Sequence, residues 1–302
     1  MMDDTYAPAD LIDTELIDAL RVRDDRHSAV RISIHLLAVV AATSCAVLFD
    51  SLFMRLLSIC FLAFFMATLF APFHECTHGT AFASRRLNSR FAYLCGVFFG
   101  STWHGYRTYH FEHHAFTQEP SKDPEISADP TVLSPWPHSF MGWVVTLSGA
   151  RLLSAKLKLM GNAWFSRDSM GDQRPLQETR VMSLVWLVVL VLAVTGSEVA
   201  RVLLSGFLLS HIVLGVWLSA EHSGCAESGS IFARTRSVRS NAFVRFFLWN
   251  MNFHSVHHGW PAVPWHGLAR LHDLVAPHVD THRGYVCLYL DLYRQNTGAR
   301  RL

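Results

Sequence analysis

Three short histidine clusters carry most of the chemistry this chain could perform: His74-Glu75-Cys76-Thr77-His78, His110-Phe111-Glu112-His113-His114 and His254-Ser255-Val256-His257-His258. In the first, histidines four residues apart share one face of a helix, one turn from each other. In the other two, positions i and i+3 or i+4 bring a histidine pair to the same side of a turn. The extra adjacent histidine then points off at about 100° and can reach a second metal. Neutral imidazole binds zinc, copper, iron and nickel, so the ligand type asks for a transition metal without naming it. At a frequency of 18 histidines in 302 residues, one H-x-x-H-H run arises by chance about 0.06 times per chain, so two copies are improbable as accident. Glu221-His222 at the end of an apolar run supplies a ninth candidate. Nine imidazoles exceed what one metal holds and suit two.

Other polar residues read as supporting parts. Glu75, Glu112 and Asp123 are candidate acceptors for ligand N–H groups. His104, His138, His266 and His272 lie near the clusters but outside their patterns, as structural groups or partners of ligands. His35 and His211 fall inside apolar runs and read as hydrogen-bonded residues facing a helix bundle. The six cysteines include no C-x-x-C pair, and several sit in apolar runs as small hydrophobes, so no disulfide framework is expected.

The elements that must position these groups are apolar. Hydrophobic residues make up 51% of the chain and charged ones 17%, against roughly 45–50% and about 25% in soluble domains. The net charge of +2 comes without a basic block, so no nucleic-acid partner is expected. Four runs, 32–49, 56–73, 181–196 and 202–220, are each near the lower length for crossing a ~30 Å hydrocarbon core. Asp50 to Arg55 and Ser197 to Arg201 link them pairwise, which predicts two antiparallel hairpins. Of the 26 lysines and arginines all but Arg55 and Arg201 lie outside those links. The positive-inside rule then puts both links outside and everything else in the cytoplasm. The second run ends at the first cluster, and the fourth ends at His222, so all the histidine features share one side. Residues 11–31 read as an amphipathic helix, either lying on the membrane surface or packed as an ordinary soluble helix. The stretches 91–103 and 139–150 are too short to span. Trp249, Trp260 and Trp265 suit an interfacial belt or a substrate tunnel.

HECTHGTAF (74–82), YHFEHHAFTQEPSKDPE (109–125), AEHSG (220–224) and WNMNFHSVHHGWPAVPWHGLARLH (249–272) together resemble the membrane fatty-acid desaturases of the short bacterial type, over roughly residues 35–275. The resemblance implies an all-α integral membrane protein, with four transmembrane helices in two hairpins and a helical cytoplasmic cap carrying a di-iron site. Residues 1–31 would be a cytoplasmic amphipathic segment and 32–302 the desaturase-like domain, its cap formed by 74–180 and 221–302. Carried over residue by residue, the iron ligands would be His74, His78, His110, His113, His114, His222, His254, His257 and His258. The location implied is a bacterial inner membrane with the site on the cytoplasmic side. O2 would be co-substrate, and a lipid or fatty-acyl chain the substrate. No His-Pro-Gly-Gly motif occurs, so electrons would come from a separate ferredoxin-, rubredoxin- or cytochrome b5-like carrier. Leu218 stands where stearoyl-type members place an Asn that holds an iron-bound water.

Rival chemistries leave residues unused. His74-Glu75-Cys76-Thr77-His78 also fits the H-E-x-x-H of zinc proteases, with Glu75 as general base in an intramembrane metalloprotease. That reading gives the second and third clusters no purpose. A metal transporter or membrane haem protein would hold its ligands within the spans. Within the resembled family, desaturation and hydroxylation part only after the first hydrogen abstraction: a second abstraction gives an alkene, and oxygen rebound gives an alcohol.

Overall fold

A computed structural model describes residues 6–8, 10–127, 140–166 and 172–296 of the chain. Almost everything described is helical. Two aspartates open the chain's first helices: Asp13 accepts the Glu15 N–H at 2.9 Å, starting α1 (Thr14–Leu20), and Asp24 accepts the His27 N–H at 3.0 Å, starting α2 (Asp25–Leu48). These N-caps divide the single helix expected over 11–31. Part of the segment's apolar face packs on the protein. Ile17 and Leu20 are buried, and the Tyr6 and Ala7 N–H groups donate to Gly259 O at the end of the third histidine cluster.

Next come α3 (Leu52–Thr68) and, after Leu69, α4 (Phe70–His78). Pro72 sits in the first turn of α4, where its missing N–H has no intrahelical partner to lose. Gly79 ends α4 at φ +73, a left-handed cap that turns the chain away after the first cluster. Then follow α5 (Arg85–Phe99), α6 (Trp103–Phe116), α7 (Pro124–Ser127), α8 (Phe140–Leu147) and α9 (Ala150–Phe165). The two long helices α10 (Arg174–Val194) and α11 (Glu198–His222) precede α12 (Ile231–Arg234), α13 (Ala242–Phe247), α14 (His254–Gly259), α15 (Trp265–Val275) and α16 (Tyr285–Asn296). A two-residue parallel ladder, β1 (Ser237–Val238) with β2 (Thr281–His282), ties the chain beyond α11 to the segment before α16.

Four helices are long and apolar enough to cross a membrane: Asp25–Leu48, Leu52–His78, Arg174–Val194 and Glu198–His222. They outrun the apolar runs that announce them, because a helix continues until a cap ends it and not where hydropathy falls. The stretches near 91–103 and 139–150 form α5 and α8, neither of crossing length. Helix α2 packs on α3, α10 on α11, and α3 meets α11 at the centre. Arg55 pairs with Glu198, joining the start of α3 to the start of α11, so both short links lie at one end. The histidines lie at the other. Apolar side chains such as Leu37, Val40, Leu187 and Val188 face outward from α2 and α10.

Two close approaches fix the surroundings of the site. A Cβ on Gly149 (φ +69) would fall 1.8 Å from His211 O, and one on Gly215 would fall 2.7 Å from Thr146 O. The α8–α9 corner is therefore seated on α11 with no room for a side chain. Trp249 and Asn250, both left-handed at φ 51 and φ 56, aim the chain into α14, and the Asn250 amide donates to Trp265 O at 3.0 Å. Trp249, Trp260 and Trp265 are all buried, which does not suit the first of the two expectations, the interfacial belt. The Trp265 indole N–H donates to Ser28 Oγ at 3.0 Å, and Arg31 stacks 4.2 Å over its ring, so the tryptophan satisfies its polar edge inside the protein.

Candidate metal centre

The nine histidines singled out from the sequence converge on two adjoining groups. His74, His78, His110, His114 and His257 form the first, and His113, His222, His254 and His258 the second. Within each group the candidate ligand atoms lie within 4.8 Å of one another. His78 is half-buried and the other eight are buried. Helix α4 sends both its histidines to the first group. The i,i+4 pair of α6, His110 and His114, joins them there, and its i+3 residue His113 crosses to the second. Helix α14 does the reverse: His254 and His258 enter the second group while His257 crosses to the first. The last turn of α11 adds His222. One pair of boxes thus exchanges a histidine each way, and the His114 and His258 rings stack at 4.1 Å where the groups touch.

Protons decide what these groups can be. Asp123 accepts the backbone N–H of Gln118 at 2.7 Å and of Glu125 at 2.9 Å, and His113 Nδ1 lies 3.0 Å from it. A carboxylate already holding two donors is acceptor-only, so His113 Nδ1 carries a hydrogen and its Nε2 is a bare lone pair. His222 Nδ1 faces the carbonyl of Arg234 at 3.2 Å, so its Nε2 is bare too. Yet His113 Nε2 and His222 Nε2 are 3.2 Å apart. With both imidazoles neutral, two lone pairs at that distance repel unless a cation lies between them, and either a metal ion or a proton taken up by His113 meets that need. Thr117 spends its hydroxyl hydrogen on His113 O at 2.7 Å, so it accepts from His258 Nδ1 at 3.3 Å, leaving His258 Nε2 unpaired as well. His254 Nε2 lies 2.8 Å from His222 Nε2.

The first group raises the same demand. His110 Nε2 is 2.8 Å from His78 Nε2 and 3.0 Å from His114 Nε2, and His257 Nε2 is 3.2 Å from His114 Nε2. Neither nitrogen of buried His74 has a hydrogen-bond partner. An unmet buried polar atom costs about 1–3 kcal/mol. Nitrogens about 2.1 Å from a shared ion and at right angles stand about 3.0 Å apart, which matches these spacings. The residues fit two metal ions. Burial holds the imidazoles of His110, His114, His254, His257 and His258 well below their ordinary range, in the neutral form that ligation requires. Burial also opposes charge on His113, but the carboxylates of Glu125 and Asp123 outweigh it and hold that group above its usual value.

Several residues lie elsewhere. Glu75 does not face a ligand N–H: its Oε2 accepts the Thr80 hydroxyl at 2.7 Å and the Trp265 N–H at 3.1 Å, bracing α4 against α15. Glu112 is exposed. His104 bonds Glu178, which also accepts from Tyr93 at 2.9 Å. His272 Nε2 is 2.8 Å from Thr281 Oγ1, and His266 joins neither group. His138 lies outside the described residues. His35 and His211 bond the carbonyls of Phe65 and Phe207 at 2.9 and 2.8 Å. Thr117, Gln118, Tyr106 and the Arg234 carbonyl were missed in the sequence. Thr117 carried a faint signal, four residues after His113, where a hydroxyl bonds back along its helix. Gln118, left-handed at φ 62, sends its amide to His222 O at 3.0 Å, and only the folded chain brings those together.

Two hollows flank the groups. A pocket of about 170 Å³ is faced by His74, His110, His113, His222 and His254, with Phe70, Leu152, Leu214, Leu218 and Met251 as apolar walls and Lys156 among them. A cleft of about 440 Å³ touches His78 and His114 instead and is lined by Arg23, Arg85, Arg107 and Arg174.

An all-helical fold with four helices of crossing length and a buried, histidine-only site defines a class of membrane-embedded metal oxidoreductases. The fatty acid desaturase family profile matches residues 51–289, and the chain belongs to that family. Beta-carotene 4-ketolase 3 and beta-carotene ketolase, both of Haematococcus lacustris, are each 29% identical to it over 213 residues, 68% of this chain. The match covers 58% of those relatives, so the chain spans less than two thirds of their length.

Proposed function

We propose that this chain is an O2-dependent di-iron oxidoreductase that acts on the C–H bonds of a lipid-like substrate, with desaturation of an acyl chain as its reaction. The observation that carries the reading is the gathering of nine imidazoles into two buried groups, within each of which the candidate ligand atoms lie within 4.8 Å of one another, with both nitrogens of His74 and Nε2 of His258 lacking any hydrogen-bond partner. His74, His78, His110, His114 and His257 would hold one iron, and His113, His222, His254 and His258 the other. Removing hydrogen from an unactivated methylene is beyond any side-chain acid or base, and activation of O2 with two supplied electrons is the chemistry a pair of irons brings when bound. The protein's own part is to orient and to exclude water. Phe70, Leu214, Leu218 and Met251 present an apolar wall to the substrate beside the histidines. Asp123, Thr117 and the Arg234 carbonyl keep Nδ1–H of three imidazoles outward, so their Nε2 lone pairs stay inward.

The same reading sets the four long helices in the membrane as two hairpins, with 74–180 and 221–302 as a cytoplasmic cap. The arginines of the larger cleft, next to His78 and His114, support an acidic electron carrier approaching from that side. Oxygen insertion is a second reading, supported by the ketolase names of the relatives. Glu75, turned to Thr80 and Trp265, gives no support to a zinc-protease role.

Purified protein should contain about two irons per chain held by nitrogen, by elemental analysis and Mössbauer spectroscopy. Mass spectrometry of lipids from an expressing host should show products lacking two hydrogens; products that gain oxygen would transfer the assignment to the second reading. One zinc and no iron would end both. Reporter fusions after Asp50 and after Ser197 should face outward.

A further inference from the structure

Lys156 faces the pocket beside the histidines from α9, which the Gly149 and Gly215 contacts lock onto α11. Its ammonium donates to Phe99 O at 2.6 Å and lies 4.9 Å from the Phe99 ring. That carbonyl ends α5, so one N–H serves as a helix C-cap. A lysine has two more donors, and among the described residues no carboxylate pairs with it. Elsewhere Lys122 meets Glu119 at 3.0 Å and Arg174 meets Asp172 at 2.8 Å, while Arg31 and Arg180, like Lys156, donate to backbone carbonyls. Burial alone pushes the Lys156 amine down to about 7.

A half-buried amine with open donors and no counter-ion is costly, and the cost is recovered when an anion enters. For a pure hydrocarbon such as beta-carotene, the group would be a penalty with no return. A phosphate would ask for several cations or an arginine fork, whereas one compact ammonium suits one carboxylate. Phe70, Leu152, Leu214 and Leu218 on the other walls suit an aliphatic chain, and the two carboxylates that also line the pocket, Glu125 and Glu221, lie against His113 and His254.

We infer that this pocket takes an amphiphile with a free carboxylate, that Lys156 binds the carboxylate, and that substrate preference for acid over ester or hydrocarbon is set there; the inference rests on the oxygenase reading above. Lys156 is a specificity-determining residue here, and the histidines are left to the metals.

The test compares wild type, Lys156→Met and Lys156→Arg in lipid nanodiscs. Bound cis-parinarate, a fluorescent fatty acid, is displaced by dodecanoate, hexadecanoate, octadecanoate, their methyl esters and beta-carotene. Wild type should bind at least one acid roughly tenfold or more tighter than its ester. Lys156→Met should lose that preference while still binding the esters, and Lys156→Arg should keep most of it. Failure of wild type to bind cis-parinarate, equal affinity for acid and ester, preference for beta-carotene, or an unchanged Lys156→Met each overturns the inference. Iron content, measured on the same samples, separates the two readings: full iron without acid preference removes only the carboxylate assignment, and absence of iron removes the oxygenase. Equal iron and helix content in Lys156→Met would also show that losing the Phe99 cap leaves the fold intact.

Discussion

The two histidine groups are built on different plans. In the second, outer partners drawn from three places fix three of the four imidazoles: Asp123 for His113, the Arg234 carbonyl for His222 and Thr117 for His258, while His254 Nδ1 makes no hydrogen bond and has the Glu221 carboxylate 3.3 Å away. In the first, the buried Nδ1 atoms of His74, His114 and His257 have no hydrogen-bond partner, and only Tyr106 reaches one, 3.2 Å from His110 Nδ1. Rings do the positioning instead. Tyr106 stacks on His110 at 4.9 Å, Phe70 lies 5.9 Å from His74 and Phe111 lies 5.5 Å from His78. One group is oriented mainly by polar partners; the other is caged by helix packing. Loss of outer partners should therefore harm the second group selectively.

The largest effect breaks the comparison at its least obvious member. His222→Ala should abolish turnover and lower iron by about half, because the second group has four imidazoles and no spare. His74→Ala should do the same from the other side. If His222→Ala keeps near-normal iron and product, His222 leaves the ligand set and eight histidines remain.

Asp123→Asn should come next. The amide can present its N–H to His113 and favour the wrong tautomer, so metal affinity should fall about 10–100-fold in the second group only. Mössbauer spectra should lose one iron environment and keep the other. Equal loss from both would mean that the groups are not independently built.

Glu75→Gln sharpens the contrast from the packed side. Glu75 holds α4 to α15 through Thr80 and the Trp265 N–H. Glutamine keeps one acceptor and can preserve part of the brace, so the expected cost is about 1–3 kcal/mol in thermal stability. Iron should stay near normal, with turnover lowered but present. Complete loss of turnover with intact fold and iron would point to chemistry at Glu75 that its observed bonds do not provide.

Much of this site could be read from the chain because its histidines are written as short-range patterns. H-x-x-H-H encodes both an i,i+4 pair and a crossing neighbour within one helical turn, and α6 and α14 realise that pattern. The four long helices were legible for the same reason: apolar length is a local property. What could not be read is what the tertiary fold supplies. The Arg234 carbonyl meets His222 across a turn with no side-chain signature. Gln118 reaches His222 O over a sequence separation of 104 residues. The N-terminal segment could be read as a surface helix because its apolar face had no partner in the sequence, whereas in the fold Ile17 and Leu20 are covered and Gly259 accepts from Tyr6 and Ala7. The burial of Trp265 was not legible either, since the Ser28 hydroxyl that meets it lies 237 residues away.

The smallest effect tests the boundary of the site. His272 resembles a ligand in type and burial, and it packs against Phe253, its ring 4.5 Å from the residue that opens the third cluster's helix. Its Nε2, however, is committed to Thr281 Oγ1 at 2.8 Å, its Nδ1 lies 3.6 Å from Asp273 Oδ1, and it belongs to neither group. Removing it should cost a hydrogen bond of about 0.5–1.5 kcal/mol and some contact with Phe253. It should remove no lone pair from either metal. His272→Ala is therefore expected to keep its iron and most of its turnover while melting a few degrees lower, and His272→Gln, which can still reach Thr281, should recover part of the stability. Iron content is the deciding measurement. If it drops in His272→Ala and returns in His272→Gln, the Phe253 contact positions α14, and the packing that cages the first group extends one residue shell further than the hydrogen bonds indicate.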